Sequence, residues 1–292
     1  MPRSLSGRIT VMAVFPITRH VAALGVVSLL FSGCGGYGRM SLADAPKIVN
    51  VSSYDPKERQ RAGSSYRTSD VSALRRNGAL GLIARCGKGG APDEKCAAFL
   101  AAANRSGMLL GTYYFMVKGR NPVSQADHYV DLLRRLAPRV PGRRLLLVGD
   151  IDTRSTPAEI VAFVNRIEKR TGVLPVIYLE NSGQLRTRLN AATPAQRRKL
   201  RQCPYWLALY SHTNGFKTPQ ALANASGIWS DWALWQYAGV EWKGRSVPQV
   251  YHYGPWQAPK YFGTMDRPLE HNAFNGSLAD LGAFWMAHSW TP

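Results

Sequence analysis

From residue 47 onward, short apolar runs alternate with segments whose apolar residues recur at helical spacing. Residues 48–51, 80–84, 108–115, 145–152 and 173–179 read as strands, being compact apolar runs bounded by turn residues. Between them lie helices at 71–76 and at 93–105, the latter with Phe99 and Leu100 on one side and Gly107 past its end. Asn121-Pro122 is a cap with proline in the first turn, and it opens a helix through Tyr129, Val130 and Leu133. The clearest helix starts at Thr156-Pro157-Ala158-Glu159, where the glutamate can return a bond to the capping threonine. Ile160, Phe163, Val164 and Ile167 then form a core-facing stripe, Arg166, Lys169 and Arg170 suit the carboxyl end of the helix dipole, and Gly172 stops it. Thr193-Pro194-Ala195-Gln196 opens another helix by the same logic. Beyond residue 205 the pattern changes: 206–210, 232–237 and a segment within 264–271 read as strands without long helices between them.

Five strand–helix units over 48–205 imply parallel pairing with right-handed crossovers. Eight strands with the helices lost near the end predict an α/β fold, an irregular TIM-like barrel. A doubly wound open sheet is the competing architecture, but no Gly-x-Gly-x-x-Gly turn favours it. Cys86-Gly87-Lys88-Gly89-Gly90 lacks the spacing and the Ser/Thr of a phosphate loop.

Composition and charge then narrow the setting. The chain has 292 residues, 45% hydrophobic and 10% aromatic, enough to bury a large core and to argue against disorder. Its N-terminus carries Arg3, Arg8 and Arg19 without an acidic residue, then an apolar run over 21–31 that ends in Ser32-Gly33-Cys34-Gly35. That order is a secretory signal, and the run is too short for a comfortable membrane span of about 20 residues. Two readings of Cys34 stay open: a bacterial lipobox, in which Cys34 is lipidated and anchors the mature chain, or plain secretion. The domain plan is thus a signal over 1–34, a linker over 35–46 and a barrel over 47–292. The formal charge of +19 falls only to +16 when residues 1–33 are removed, so the basic excess belongs to the folded part. Such an excess calls for an anionic partner, and export disfavours nucleic acid. In an oxidising envelope Cys86 and Cys96 could close a short loop, leaving Cys203 free, though spacing does not fix the pairing.

In a parallel barrel the chemistry lies at the carboxyl ends of the strands. Those positions are Asn50, Arg85, Tyr113 to Phe115, Asp150, Asp152, Tyr178, Tyr210 and Trp235 to Tyr237, a mixture of aromatic and acidic groups suited to a sugar cleft. Asp150 and Asp152 are the most informative. Side chains two apart on a strand share a face at roughly 6.5 Å, and two carboxylates so placed push their proton affinities apart. That arrangement sets a proton donor beside a carboxylate. The plainer alternative is that Asp152 or Thr153 only begins the turn into the next helix.

Residues 47 to 285 resemble glycoside hydrolase family 25, the Chalaropsis-type lysozymes. The resemblance rests on Val49-Asn50-Val51-Ser52-Ser53-Tyr54, Gly111-Thr112-Tyr113-Tyr114-Phe115, Gln125-Ala126, Asp150-Ile151-Asp152, Thr171-Gly172-Val173-Leu174-Pro175-Val176-Ile177-Tyr178, Trp206-Leu207-Ala208-Leu209-Tyr210, Leu234-Trp235-Gln236-Tyr237 and Glu270-His271-Asn272-Ala273-Phe274-Asn275-Gly276, in family order. It implies a (β/α)5β3 barrel that hydrolyses the β-1,4 bond after N-acetylmuramic acid in peptidoglycan, without metal or organic cofactor. The implied partners are peptidoglycan glycan strands and, through Cys34, a membrane. The N-terminal signal adds the expectation of an exported, envelope-located protein, and the chain is expected to act as a monomer. Asp152 falls at the family's general acid, Asp150 at the aspartate that orients the substrate's acetamido group as nucleophile, and Asn50 and Glu270 at two further acidic positions. Tyr113, Tyr114, Tyr178, Trp206, Tyr210, Trp235, Gln236 and Arg85 are the implied substrate contacts.

Three acidic positions depart from the family pattern. Asn50 replaces an aspartate, Asp152 a glutamate and Glu270 an aspartate. Shortening at Asp152 withdraws the carboxyl by roughly 1.5 Å, and misplacement of about 1 Å can cost a hundredfold in rate. The alternative is therefore a catalytically impaired peptidoglycan-binding lipoprotein. Arg85 and Lys88 add positive charge by the cleft. His128, His212, His252 and His271 are scattered without zinc spacing, and no Gly-x-Ser-x-Gly is present. Arg197-Arg198-Lys199-Leu200-Arg201 reads as a solvated helix face or an anion site, and the segment from Tyr251 to Trp256 as a cleft lid or a packed loop.

Overall fold

A computed structural model describes residues 41–55, 68–210, 215–241, 250–252 and 269–292, all within the unit Gly36–Pro292. Cys34, the signal and most of the 251–256 insertion lie outside the described residues. The elements follow in the order β1 (Lys47–Val51), α1 (Thr68–Arg76), β2 (Ala79–Lys88), β3 (Ala91–Pro92), α2 (Cys96–Arg105), β4 (Leu109–Met116), α3 (Pro122–Leu136), β5 (Leu145–Ile151), α4 (Pro157–Thr171) and β6 (Val176–Leu179). Then come α5 (Gly183–Asn190), α6 (Pro194–Arg201), β7 (Tyr205–Ala208), α7 (Pro219–Ala225), β8 (Leu234–Glu241), β9 (Val250–His252), β10 (Glu270–Phe274), α8 (Leu278–Ala287) and β11 (Ser289–Trp290).

Eight strands close on themselves in the order β1-β2-β4-β5-β6-β7-β8-β10, because β1 pairs with β2 on one side and β10 on the other. Pairing is parallel from β1 to β8, and β10 runs antiparallel to both neighbours. This is the irregular TIM-like barrel. The open-sheet alternative is excluded by the β1–β2 pairing.

Local chemistry explains the helices. Asn121 accepts from the Val123 and Ser124 amides, Thr156 and Glu159 exchange bonds as a capping box, and Gly172 ends α4 with φ 73°. Thr193 and Gln196 repeat the box at α6. The strand that closes the barrel, β10, runs over 270–274, overlapping the end of the expected segment, and α5, α7 and α8 add helices to those expected. α2 begins at Cys96, because Asp93 instead forms the turn that receives the Lys95 amide. The cluster on α6 is no open anion site. Arg197 donates to the carbonyls of Ala192, Asn190 and Gly227, Arg201 to that of Ile228, and Lys199 pairs with Glu168.

The core forms two layers, sorted by strand alternation. Leu145 and Leu147 of β5 point out to the helices, whereas Leu146 and Val148 point into the barrel with Ile48, Ile83, Val176, Trp206, Leu234 and Phe274. Leu281, Phe284 and Trp285 of α8 belong to the same inner cluster, and the Trp285 indole donates to the Leu110 carbonyl at 2.8 Å. Helix α8 thus plugs one end of the barrel and leaves the carboxyl end of the strands for the site. Cys86, Cys96 and Cys203 are buried free thiols in the outer layer.

One irregularity matters for the site. The β2–β4 register shifts between Arg85 and Gly87, so Cys86 and Gly87 both face outward. A Cβ at Gly87 would lie 2.7 Å from Leu132 and 2.8 Å from Tyr114, a close approach that only glycine permits. The shift returns Lys88 to the face that Arg85 occupies.

His271 on β10 is 1% exposed, with its ring 5.7 Å from that of Tyr237. Burial, with Lys47 nearby, pushes its pKa down to about 4. The unfolded chain therefore binds a proton that the fold refuses between about pH 6.5 and 4, so stability rises with pH across that window. His271→Phe is expected to remove a slope worth on the order of 3 kcal/mol, read from urea midpoints at pH 4.5 and 7. The half-buried His288, also pushed down, leaves a residual slope of the same sign. An unaltered slope in the variant would refute the assignment.

Candidate active site

The same alternation that builds the inner core aims the next inward residue of each strand into a cleft of about 690 Å³ at the carboxyl end of the barrel. Asn50 from β1, Arg85 from β2, Tyr113 from β4, Asp150 from β5, Tyr178 from β6, Trp206 from β7, Gln236 from β8 and Glu270 from β10 all line it, with Asp152 and Tyr210 just past their strands. Two expected contacts do not reach it. Tyr114 is one residue from Tyr113 and so points outward, packing on Tyr129 and Phe163, its hydroxyl accepting the Gly90 amide at 2.6 Å. Trp235 faces the helix layer by the same parity, its indole donating to the Leu209 carbonyl at 2.9 Å. Glu180, Lys88 and Tyr54 also line the cleft. Glu180 was missed as a site residue, although it lies two residues beyond Tyr178 and hence on the same strand face.

One wall is a continuous hydrogen-bond network. Tyr178 and Tyr210 both donate to the Gln236 side-chain oxygen, Tyr178 at 2.8 Å. The Gln236 amide nitrogen donates to Asn50 Oδ1 at 3.0 Å and to Glu270 Oε2 at 3.3 Å. Asn50 Nδ2 donates to Glu270 Oε2, and Asn272 Nδ2 donates to Asn50 Oδ1 at 2.8 Å. Trp206 completes the chain, its indole donating to Asn272 Oδ1 at 3.0 Å and its ring meeting Tyr178 edge-on. Asn50 thus bridges to a carboxylate with its amide, a bond that an aspartate at that position would lack.

The opposite wall carries cations. Arg85 pairs with Asp93 at 2.8 Å, donates to Ser53 Oγ at 2.9 Å and lies over the Tyr54 ring. Lys88 Nζ sits 5.0 Å above the Phe115 ring.

The two aspartates of β5 have opposite environments. Burial pushes the Asp150 carboxyl well above the usual carboxylate range, Glu180 and Glu270 push it further, and Arg85 and Lys88 pull against them. Asp152 accepts from the Arg154 guanidinium and from the backbone amides of Arg154 and Lys118, which hold its pKa down at about 2. It also forms the turn into α4, its carbonyl receiving the Ser155 amide at 2.9 Å. Burial raises the phenols of Tyr113, Tyr178 and Tyr210 as well, so all three remain neutral donors. Among the described residues no three His, Cys, Asp or Glu side chains converge as a metal site.

Comparisons with known proteins bear on the barrel and the family. By structure the chain is similar to the bacterial lysozyme of Streptomyces coelicolor, with TM-score 0.53 and 19% identity over 84% of this chain and 97% of the other. It is similar also to the family GH25 lysozyme of Aspergillus fumigatus, with TM-score 0.53 and 19% identity over 81% and 97%. A third similar structure is the spore cortex lytic enzyme of Clostridium perfringens, with TM-score 0.58 and 17% identity over 83% and 71%. At such identities these likenesses speak for the barrel alone. A sequence search of curated proteins finds no match. The family model described as Glycosyl hydrolases family 25 matches residues 63–243, well over half of the chain, and the chain belongs to that family.

Proposed function

We propose that this glycosidase is a lysozyme-like enzyme that hydrolyses the β-1,4 bond after N-acetylmuramic acid in peptidoglycan. The observation that carries the reading is the inward row itself: carboxyl groups of Asp150, Glu180 and Glu270 share one cleft with the aromatic side chains of Tyr113, Tyr178 and Trp206. Aromatic faces suit the C–H faces of pyranose rings, and the Gln236–Asn50 network presents fixed polar groups for hydroxyl and acetamido substituents. The chain acts in the cell envelope, as a monomer, anchored through a lipidated Cys34. The +16 excess of the mature chain draws it to peptidoglycan carboxylates and envelope phosphates, an attraction that added salt weakens.

The test is product analysis by mass spectrometry after incubation with purified peptidoglycan. Fragments ending in reducing N-acetylmuramic acid are expected. Fragments ending in reducing N-acetylglucosamine would reassign the bond. Retained binding without any release would favour the impaired wall-binding lipoprotein, a reading to which Asn50 and the clamped Asp152 give weight.

A further inference from the structure

The place of the catalytic proton follows from counting donors at the two aspartates. A carboxylate offers about four lone-pair positions. All four are engaged at Asp152: Oδ1 receives the Arg154 amide and Nε, each at 3.0 Å, and Oδ2 receives Arg154 Nη2 at 2.7 Å and the Lys118 amide at 3.2 Å. Each of these N–H groups favours the anion, and protonating Asp152 would break one of them. A general acid needs the reverse, a carboxyl that keeps its proton and aims it at the substrate. Asp150 meets both conditions. Among the described residues no hydrogen-bond donor engages its carboxyl, which lines the cleft. Facing it are Arg85 and Lys88 from β2, Glu180 beyond β6 and Glu270 from β10. The phenols of Tyr113, Tyr178 and Tyr210, each raised in part by Asp150, face it as well.

We propose that Asp150 is the proton donor of this site, with Glu180 and Glu270 as the flanking carboxylates, and that Asp152 is a positioning residue tied to Arg154. The assignment rests on the glycosidase reading above. In the step, the Asp150 proton passes to the glycosidic oxygen as the bond from that oxygen to the anomeric carbon breaks. The leaving sugar departs as a neutral alcohol. The Asp150 carboxylate then recovers one proton from the water that adds to the anomeric carbon, so the cycle consumes only water. Glu180 does for Asp150 what a neighbouring carboxylate does in any such pair, favouring the neutral form of its partner. The Arg154–Asp152 pair fixes the turn between β5 and α4, which itself lines the cleft.

Two measurements on the full-length protein test this. In the first, the side-chain carboxyl carbons of aspartate are followed by NMR against pH. Asp150, identified by its loss in Asp150→Asn, is expected to titrate well above the usual carboxylate range and Asp152 near 2. An Asp150 that titrates in the ordinary range overturns the proposal whatever the substrate proves to be. In the second, reducing-end release from peptidoglycan is measured across pH. Asp150→Asn is expected to lose about 10²–10⁴-fold in turnover and to recover on a muramyl glycoside carrying a nitrophenolate leaving group, which departs without protonation. Arg154→Gln is expected to leave the basic limb of the profile in place. If Arg154→Gln instead moves that limb, Asp152 is the acid and the proposal fails. A wild type inert on peptidoglycan would refute the substrate reading alone, and the NMR titration would still decide where the proton sits.

Discussion

Replacing Trp206 by alanine is expected to cost about 3–5 kcal/mol of unfolding free energy, the range for emptying a buried aromatic site. Trp206 is 2% exposed and stands inside the barrel between the apolar inner core and the cleft. Three losses coincide in the variant: the volume between β6 and β10, the edge-on contact with Tyr178 at 5.0 Å, and the donor to Asn272 Oδ1. Because Asn272 also holds Asn50, disorder would spread into the Glu270 wall. Trp206→Phe separates the terms. It restores most of the ring and leaves a buried amide oxygen without its indole donor, for about 1–3 kcal/mol. Urea midpoints for the two variants decide the matter. A loss below 1 kcal/mol in Trp206→Ala would mean that the indole does not join core to cleft.

The residues that alternation controls were legible in advance, because a strand's parity is a local property. Tyr113, Asp150, Tyr178, Gln236 and Glu270 follow from it once the strands are found. Consecutive residues at a strand end face opposite ways, so Tyr113 and Gln236 enter the cleft while their neighbours Tyr114 and Trp235 join the outer core. Sorting strand ends by face removes both neighbours from the expected contacts and admits Glu180. Helix caps were equally local, and the Ser277–Asp280 box that opens α8 is as readable as the one at Thr156, though its helix was not expected. Helix α5 buries only Leu185 and Leu189, too sparse a stripe for periodicity to find.

What the sequence hid depends on how separate strand ends meet. Burial raises the Asp150 carboxyl most, and Glu180 and Glu270, which lie 30 and 120 positions away along the chain, raise it further. The clamp on Asp152 needs the turn at 152–155 to swing Arg154 back and the β4 end to offer the Lys118 amide. The turn itself was one of the two sequence readings. Its consequence for the proton was not, since spacing gives the distance between two carboxylates and not the donors that surround each of them.

The bond between Asn50 and Glu270 gives the second large effect. Asn50→Asp restores the acid that the family pattern carries there, and it is expected to lower turnover at pH 7 by about 10- to 100-fold, the cost of one hydrogen bond to a charged group. In the wild type Asn50 Nδ2 donates to Glu270 Oε2, while Oδ1 is taken by Asn272 and Gln236. The substitution turns the donor into an acceptor, and two carboxylates then face each other across the β1–β10 pairing that sets Asn50 opposite Glu270. One of them must keep a proton, so its pKa in the fold rises above the unfolded value of about 4. A raised acid binds its proton more tightly folded than unfolded, and stability therefore falls as pH rises from about 4 toward that raised value. The variant is expected to be nearly as stable as the wild type at pH 4 and about 1–3 kcal/mol weaker at pH 7. Adding Glu270→Gln to Asn50→Asp reverses the polarity of the pair and re-forms one amide–carboxylate bond. The double variant should regain most of the lost stability at pH 7 without regaining turnover, because the carboxylate would then stand on β1 instead of β10. A double-mutant cycle that shows additive losses would mean that Asn50 and Glu270 do not act through their shared bond.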